Sequence, residues 1–321
     1  MTRKFWKSTA GAMALAAGAL FTPSVAFANP QLASIEGARA NMEVLPQRLV
    51  RAEGFKYDHA VSIAVPASYR VSPDRKYPVL WVLDDPLMMR TVTGLVDLLV
   101  SGNMVPEMIV IGVGSPADEG LAGVGKRIVE FSPAGDGFFP EGPAADIAPI
   151  YDYPQRADDF LAFLIDDLRP AMATEFRMSG EHVLHGHSLG GMLGAYTLFT
   201  RPGSFDAMIL GSPALANVDG AVFKAESAYD AAHDELPAKV FLGVGGGEAG
   251  RWFLAASHIV SSTARFAEEL AISDYRGLQV ESRFYTGEDH YTSAPRTIVD
   301  GLRWVFREEA AGLGSTWPQR P

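Results

Sequence analysis

Apolar residues in this chain gather into short runs, at 79–83, 108–113, 182–184, 207–210, 240–244 and 280–285, most of them unbroken. Runs without alternation are the mark of strands buried on both faces, as in a parallel sheet covered by helices. One earlier stretch, 57–65, alternates instead, with Val61, Ile63 and Val65 on one face and Pro66 ending it. Between the runs the spacing turns helical. Phe160, Phe163, Leu164 and Leu168 recur before Pro170, and Met192, Tyr196 and Phe199 form a second set. Ile259, Phe266 and Leu270 form a third, and Ile298, Leu302, Val305 and Phe306 a fourth. Strands alternating with helices over this length predict an α/β fold, a mostly parallel central sheet with helices on both faces.

Two stretches fall outside that rhythm. Residues 29–50 carry few turn signals and read as an N-terminal arm. Residues 112–157 hold eight glycines and six prolines together with Phe138, Phe139, Tyr151 and Tyr153. This stretch follows a strand, and loops at the carboxyl ends of parallel strands are where such sheets bind ligands. It reads as a long Gly/Pro-rich active-site loop whose four aromatics contact substrate.

The first residues change the picture of where the protein works. Arg3, Lys4 and Lys7 precede an uncharged Ala/Leu/Gly run at 10–21, and Ala26-Phe27-Ala28 follows as a small-x-small site. That order reads as a secretory signal peptide over 1–28, leaving 29–321 as one catalytic domain in the periplasm. No later segment is apolar enough to span a bilayer, so no stable membrane association is expected after removal of the signal. The chain has no cysteine and a net charge of −11. An acidic protein without a Lys/Arg cluster is not expected to bind nucleic acid. Oligomeric state is not legible, and the histidine spacings match no zinc site, so no metal or organic cofactor is implied.

The chemistry gathers at Gly186-His187-Ser188-Leu189-Gly190. A G-x-S-x-G pentapeptide is a weak signal alone, but here an apolar run precedes it and a helical pattern follows from Leu189. Strand, sharp turn and helix together project a serine hydroxyl from the sheet edge, at the positive end of a helix dipole. Gly186 and Gly190 are expected to remove Cβ atoms where the chain reverses. A serine nucleophile needs a base, and the base an orienting acid. Six of the seven histidines lie in or beside early strands, in an acidic stretch or in a helix. His290 alone follows the last strand, where a loop returns to the edge carrying Ser188. Glu248, leaving the run at 240–244, is the favoured acid, with Asp219 and Asp289 as alternatives.

Further residues recur at matching stations: Leu83-Asp84-Asp85, the stretch from Arg127 to Pro133, Phe205, Ser212-Pro213, Glu248 and Gly287 to His290. In order and spacing over 55–310 the chain resembles the putative-esterase family of α/β hydrolases, in particular its bacterial ferri-siderophore (trilactone) esterase branch. The resemblance implies a Ser188–His290–Glu248 triad and an oxyanion hole using the N–H of Leu189. It also implies Arg127 as a substrate contact. Pro86 stands where the family's second oxyanion donor lies and has no N–H. Either the N–H of Asp85 or Leu87 takes that role, or the hole is weaker. The function implied is a serine esterase acting on a small ester, a siderophore lactone or an aryl ester. An acyltransferase with the same triad and a binding protein on a hydrolase scaffold are the alternatives.

Overall fold

A computed structural model describes residues 42–134, 156–215, 220–251, 254–255 and 257–314. Its strands are β1 (Met42–Val44), β2 (Arg48–Val50), β3 (His59–Pro66), β4 (Tyr77–Asp85), β5 (Ile109–Gly114), β6 (Met178–His187), β7 (Ala207–Gly211), β8 (Glu235–Gly245) and β9 (Arg276–Tyr285). Among the described residues these nine form one sheet in the order β1-β3-β5-β4-β6-β7-β8-β9, with β2 also paired to β3. Neighbours from β5 to β9 run parallel, while β3 is antiparallel to β5, β1 and β2. The apolar runs from 79 onward fall in these parallel strands.

Two apolar layers explain why those runs do not alternate. Trp81, Ile111, Leu184, Leu210 and Leu242 face one layer, which also holds Phe160, Met192, Phe199 and Phe266. Leu80, Val82, Val110, Val183, Ile209 and Phe241 face the other, against Val92, Val96, Ile298 and Leu302. The helices that supply these side chains are α1 (Leu87–Ser101), α3 (Ala157–Ala162), α5 (Leu189–Thr200), α7 (Ile259–Ser273) and α8 (Ser293–Val305). Successive strand residues point to opposite faces, so both must be apolar when both faces are covered. No helix among the described residues is long and apolar enough to cross a membrane.

Three expectations change. Within the stretch read as an N-terminal arm, Met42–Val44 and Arg48–Val50 are short strands on the edge of β3. The stretch 112–157 does not open as a loop: its first residues end β5, a turn of 3-10 helix covers Ala117–Glu119, and α2 runs from Leu121 to Phe131. Gly123 and Gly125 hide that helix from propensity, because each weakens it by roughly 1 kcal/mol against alanine. Its buried Ile128 and Phe131, packed into the core, override the penalty. Third, the helical spacing that runs up to Pro170 continues past it, through a π turn over Phe163–Leu168 into α4 (Arg169–Glu175). Pro170 lies in the first turn of α4, where the broken hydrogen-bond ladder makes a missing N–H tolerable. The remaining helices are α6 (Ala221–Asp230) and α9 (Arg307–Leu313).

Candidate active site

Strand β6 ends at His187 and α5 begins at Leu189, so Ser188 alone reverses the chain. It does so at φ 61° and ψ −119°, a conformation that non-glycine residues rarely adopt. Both of its peptide groups are held. Its N–H donates to the Gly211 carbonyl at 2.8 Å, and its carbonyl accepts from the N–H groups of Ala214 and Met192, each at 3.0 Å. Strain of this kind persists only where the surroundings over-determine it. Of the two pentapeptide glycines, Gly186 is tight and Gly190 is not, and Gly191 is the second tight position. A Cβ on Gly186 would stand 2.2 Å from the Gly190 carbonyl oxygen, so only glycine fits there. A Cβ on Gly190 would meet nothing closer than 3.4 Å, whereas one on Gly191 would stand 2.9 Å from Pro213 Cα.

The parallel register brings the other two groups to the same edge. β8 ends at Gly245, and the turn that follows, Gly246–Gly250, carries Glu248. β9 ends at Tyr285, and His290 follows in the next loop before α8. His290 Nδ1 and Glu248 Oε2 are 2.7 Å apart. The carboxylate is fully buried. Its other oxygen, Oε1, accepts from the Ser212 hydroxyl at 2.6 Å and from the Gly245 N–H at 2.9 Å. A buried carboxylate is tolerable only when its lone pairs are matched in this way. The two turns are also locked by backbone. Gly247 N–H donates to the Glu288 carbonyl at 2.9 Å, and a Cβ on Gly245 would stand 2.6 Å from that same oxygen.

His290 leans on a second imidazole. Its ring centroid lies 4.7 Å from that of His187, the residue before Ser188. Burial, then the neighbouring His290, holds His187 well below the usual histidine range. The His290 ring therefore packs between a carboxylate and a neutral imidazole, next in the chain to Ser188. A histidine so held can present its free Nε2 as a proton acceptor while Nδ1 donates to Glu248.

Of the two alternative acids, Asp289 does not share this geometry. Asp289 caps its own turn, its Oδ1 accepting from the N–H groups of Tyr291 and Thr292 at 3.0 and 3.1 Å. Asp219 lies outside the described residues, as do Phe138, Phe139, Tyr151 and Tyr153. Leu189 opens α5, with its N–H in the unpaired first turn. The Asp85 side chain is buried and turned to the other face of the sheet, its Oδ2 accepting from Ser62 at 2.6 Å and Gln47 at 3.1 Å. Burial raises its pKa. Its backbone lies against β5, where a Cβ on Gly114 would stand 2.3 Å from the Asp85 carbonyl oxygen. Arg127, on α2, pairs with the Asp84 carboxylate and also donates to the His187 carbonyl at 3.2 Å.

Comparison with known proteins identifies the family. A family profile described as Putative esterase matches residues 52–304. The chain belongs to the Putative esterase family. Like other Putative esterase members it is a hydrolase acting on esters, and its architecture is the α/β-hydrolase fold. It is 24% identical over 249 residues to ferri-bacillibactin esterase BesA of Bacillus subtilis, covering 75% of this chain and 83% of that protein. The crystal structure of an IroE-like serine hydrolase from Shewanella oneidensis superposes with a TM-score of 0.70 at 21% identity, over 83% of this chain and 81% of the other. Siderophore hydrolase EstA of Aspergillus nidulans also reaches 0.70, at 19% identity, over 85% and 96%.

Proposed function

We propose that this Putative esterase is an exported serine esterase working through an acyl-enzyme. Ser188 Oγ attacks the ester carbonyl while His290 takes its proton. The tetrahedral intermediate collapses as His290 protonates the departing alkoxide, leaving an acyl group on Ser188. Water then attacks that ester, with His290 again as base, and frees the acid and the serine. Glu248 fixes the tautomer of His290 and steadies its charge. The N–H of Leu189 and the peptide at Asp85 face the oxyanion. The observation that carries this reading is the 2.7 Å contact between His290 and the buried Glu248, at the sheet edge from which the strained Ser188 turn projects.

The substrate class rests on the company the chain keeps. Siderophore esterases stand among its relatives in bacteria and fungi. A siderophore lactone or an aryl ester is the proposed substrate, with Phe138, Phe139, Tyr151 and Tyr153 as its aryl contacts. The basic start, the apolar run and Ala26-Phe27-Ala28 support export, with the periplasm as the proposed site of the reaction. The test is a fluorophosphonate probe followed by an ester panel read by mass spectrometry. Wild-type protein should label at Ser188 and open cyclic siderophore lactones, while Ser188→Ala should fold normally and do neither. Labelling that persists in Ser188→Ala would remove the serine from its role.

A further inference from the structure

The ladder between β4 and β6 stops short of the site. Its last pair is Val82 with His185. Two residues further along β4 and three further along β6 the backbone is strained, at Asp84 with φ 64° and at Ser188 with φ 61°. Beyond the last rung the two strand ends are bridged by a single guanidinium. Arg127 Nε and Nη2 grip the Asp84 carboxylate as a fork, and Nη2 also donates to the carbonyl of His187, 3.2 Å away. The same guanidinium lies over the Phe131 ring, 5.5 Å from its centroid, so it is held from the helix side too. An oxyanion formed at Ser188 must sit between these strand ends, facing Leu189 on one side and the turn after Asp84 on the other.

We propose that Arg127 is a positioning residue that sets the width of the oxyanion site by tying Asp84 to His187, and not a ligand of the substrate. This rests on the reading of Ser188 as nucleophile. The physical case is that both turns are strained and that the sheet has stopped holding them together. Donors stabilise an oxyanion only when they are already aimed at it, so a slack gap costs turnover and not ground-state binding. A forked pair to one carboxylate, with a further hydrogen bond to a carbonyl, is geometry that arginine can make and lysine cannot. With Nε and Nη2 committed in this way, only Nη1 is left to meet an anionic substrate.

The test uses the full chain and the variants Arg127→Gln, Arg127→Lys, Asp84→Asn and Arg127→Gln/Asp84→Asn. Each is assayed on 4-nitrophenyl acetate, which is neutral, and 4-nitrophenyl hemisuccinate, which is anionic. Phenylboronic acid serves as the tetrahedral mimic, because it adds to the serine. If Arg127 is a brace, Arg127→Gln and Asp84→Asn each lower kcat by about 10- to 100-fold on both esters alike, with KM within about threefold. The boronic-acid Ki weakens by the same factor as kcat/KM. The double variant is no worse than the poorer single one, because both remove one interaction. Arg127→Lys falls near Arg127→Gln and supplies the same comparison if the glutamine variant does not fold. A rise in KM confined to the anionic ester in Arg127→Gln, with a fall in that KM when Asp84→Asn frees the guanidinium, makes Arg127 a substrate ligand and overturns the proposal. Unchanged kcat and Ki in every variant overturns it as well. Failure of the underlying reading looks different, since wild-type protein would then resist both boronic acid and fluorophosphonate labelling at Ser188.

Discussion

Glu248 surrenders all of its exposure and receives three hydrogen-bond partners in return, from Ser212, Gly245 and His290. Glu248→Gln keeps the shape but puts an amide donor where every neighbour already donates. Either Oε1 loses its match to Ser212 and Gly245, or His290 loses its acceptor. We expect kcat on a short ester to fall by on the order of a thousandfold or more, with KM nearly unchanged, in steady-state assays. Ser212→Ala removes only one of the two donors to Oε1 and should cost about tenfold in kcat, with about 1 kcal/mol of stability in a urea melt. The serine, the histidine and the glutamate were legible because each sits at a fixed place after a strand. Ser212 was visible only as a Ser-Pro station, since its role depends on β7 and β8 being neighbours. The Arg127–Asp84 pair was hidden for the same reason: it joins residues far apart in the chain, where α2 crosses the ends of β4 and β6.

Strand β6 carries His182, His185 and His187, and burial depresses all three. His182 and His185 are pushed down to about 4, with desolvation the leading cause in each. A histidine that stays neutral when folded but takes a proton when unfolded destabilises the fold as pH falls. The loss begins near the ordinary histidine value of 6.5 and is complete near 4, because in that window the unfolded chain binds more protons. For the fully buried His185 the limit is about 3 kcal/mol, and Asp85 offsets part of it, because its raised pKa favours the fold at low pH. The melting temperature should therefore drop steadily from pH 7 to pH 5 in thermal scans. A flat profile would mean that water reaches these rings. Most strands and helices were legible from apolar spacing because core packing sets that spacing. The helix α2 was not. Its glycines argue against it locally, and its support comes from tertiary partners such as the buried Glu130, whose carboxylate lies 2.7 Å from His59 Nε2.

At the scale of the whole molecule the sheet ends differently on its two sides. β3 is covered by β1 and β2, whereas among the described residues β9 pairs with β8 alone. Exposed strand edges invite pairing with another chain, and charge is the usual protection. Arg276, Glu281 and Arg283 lie along β9, while Phe284 remains 45% exposed. Glu281→Val together with Arg283→Val should promote association, seen as a rise in scattered-light mass at micromolar concentration. The parallel centre was legible from its apolar runs. The short antiparallel edge was not, because three-residue strands carry too few positions to show a period.

The backbone lock between the Gly245–Glu248 turn and the Glu288–His290 turn has a consequence for descent. Acid and base ride on two segments that grip each other directly, so neither can drift, lengthen or be exchanged without its mate. The serine turn is fastened elsewhere, to Gly211 and Ala214. Inheritance along this lineage should therefore treat the acid–base pair as one heritable block and the nucleophile turn as another. Recombinants between homologues should survive when their crossovers fall between the blocks and fail when they divide the first.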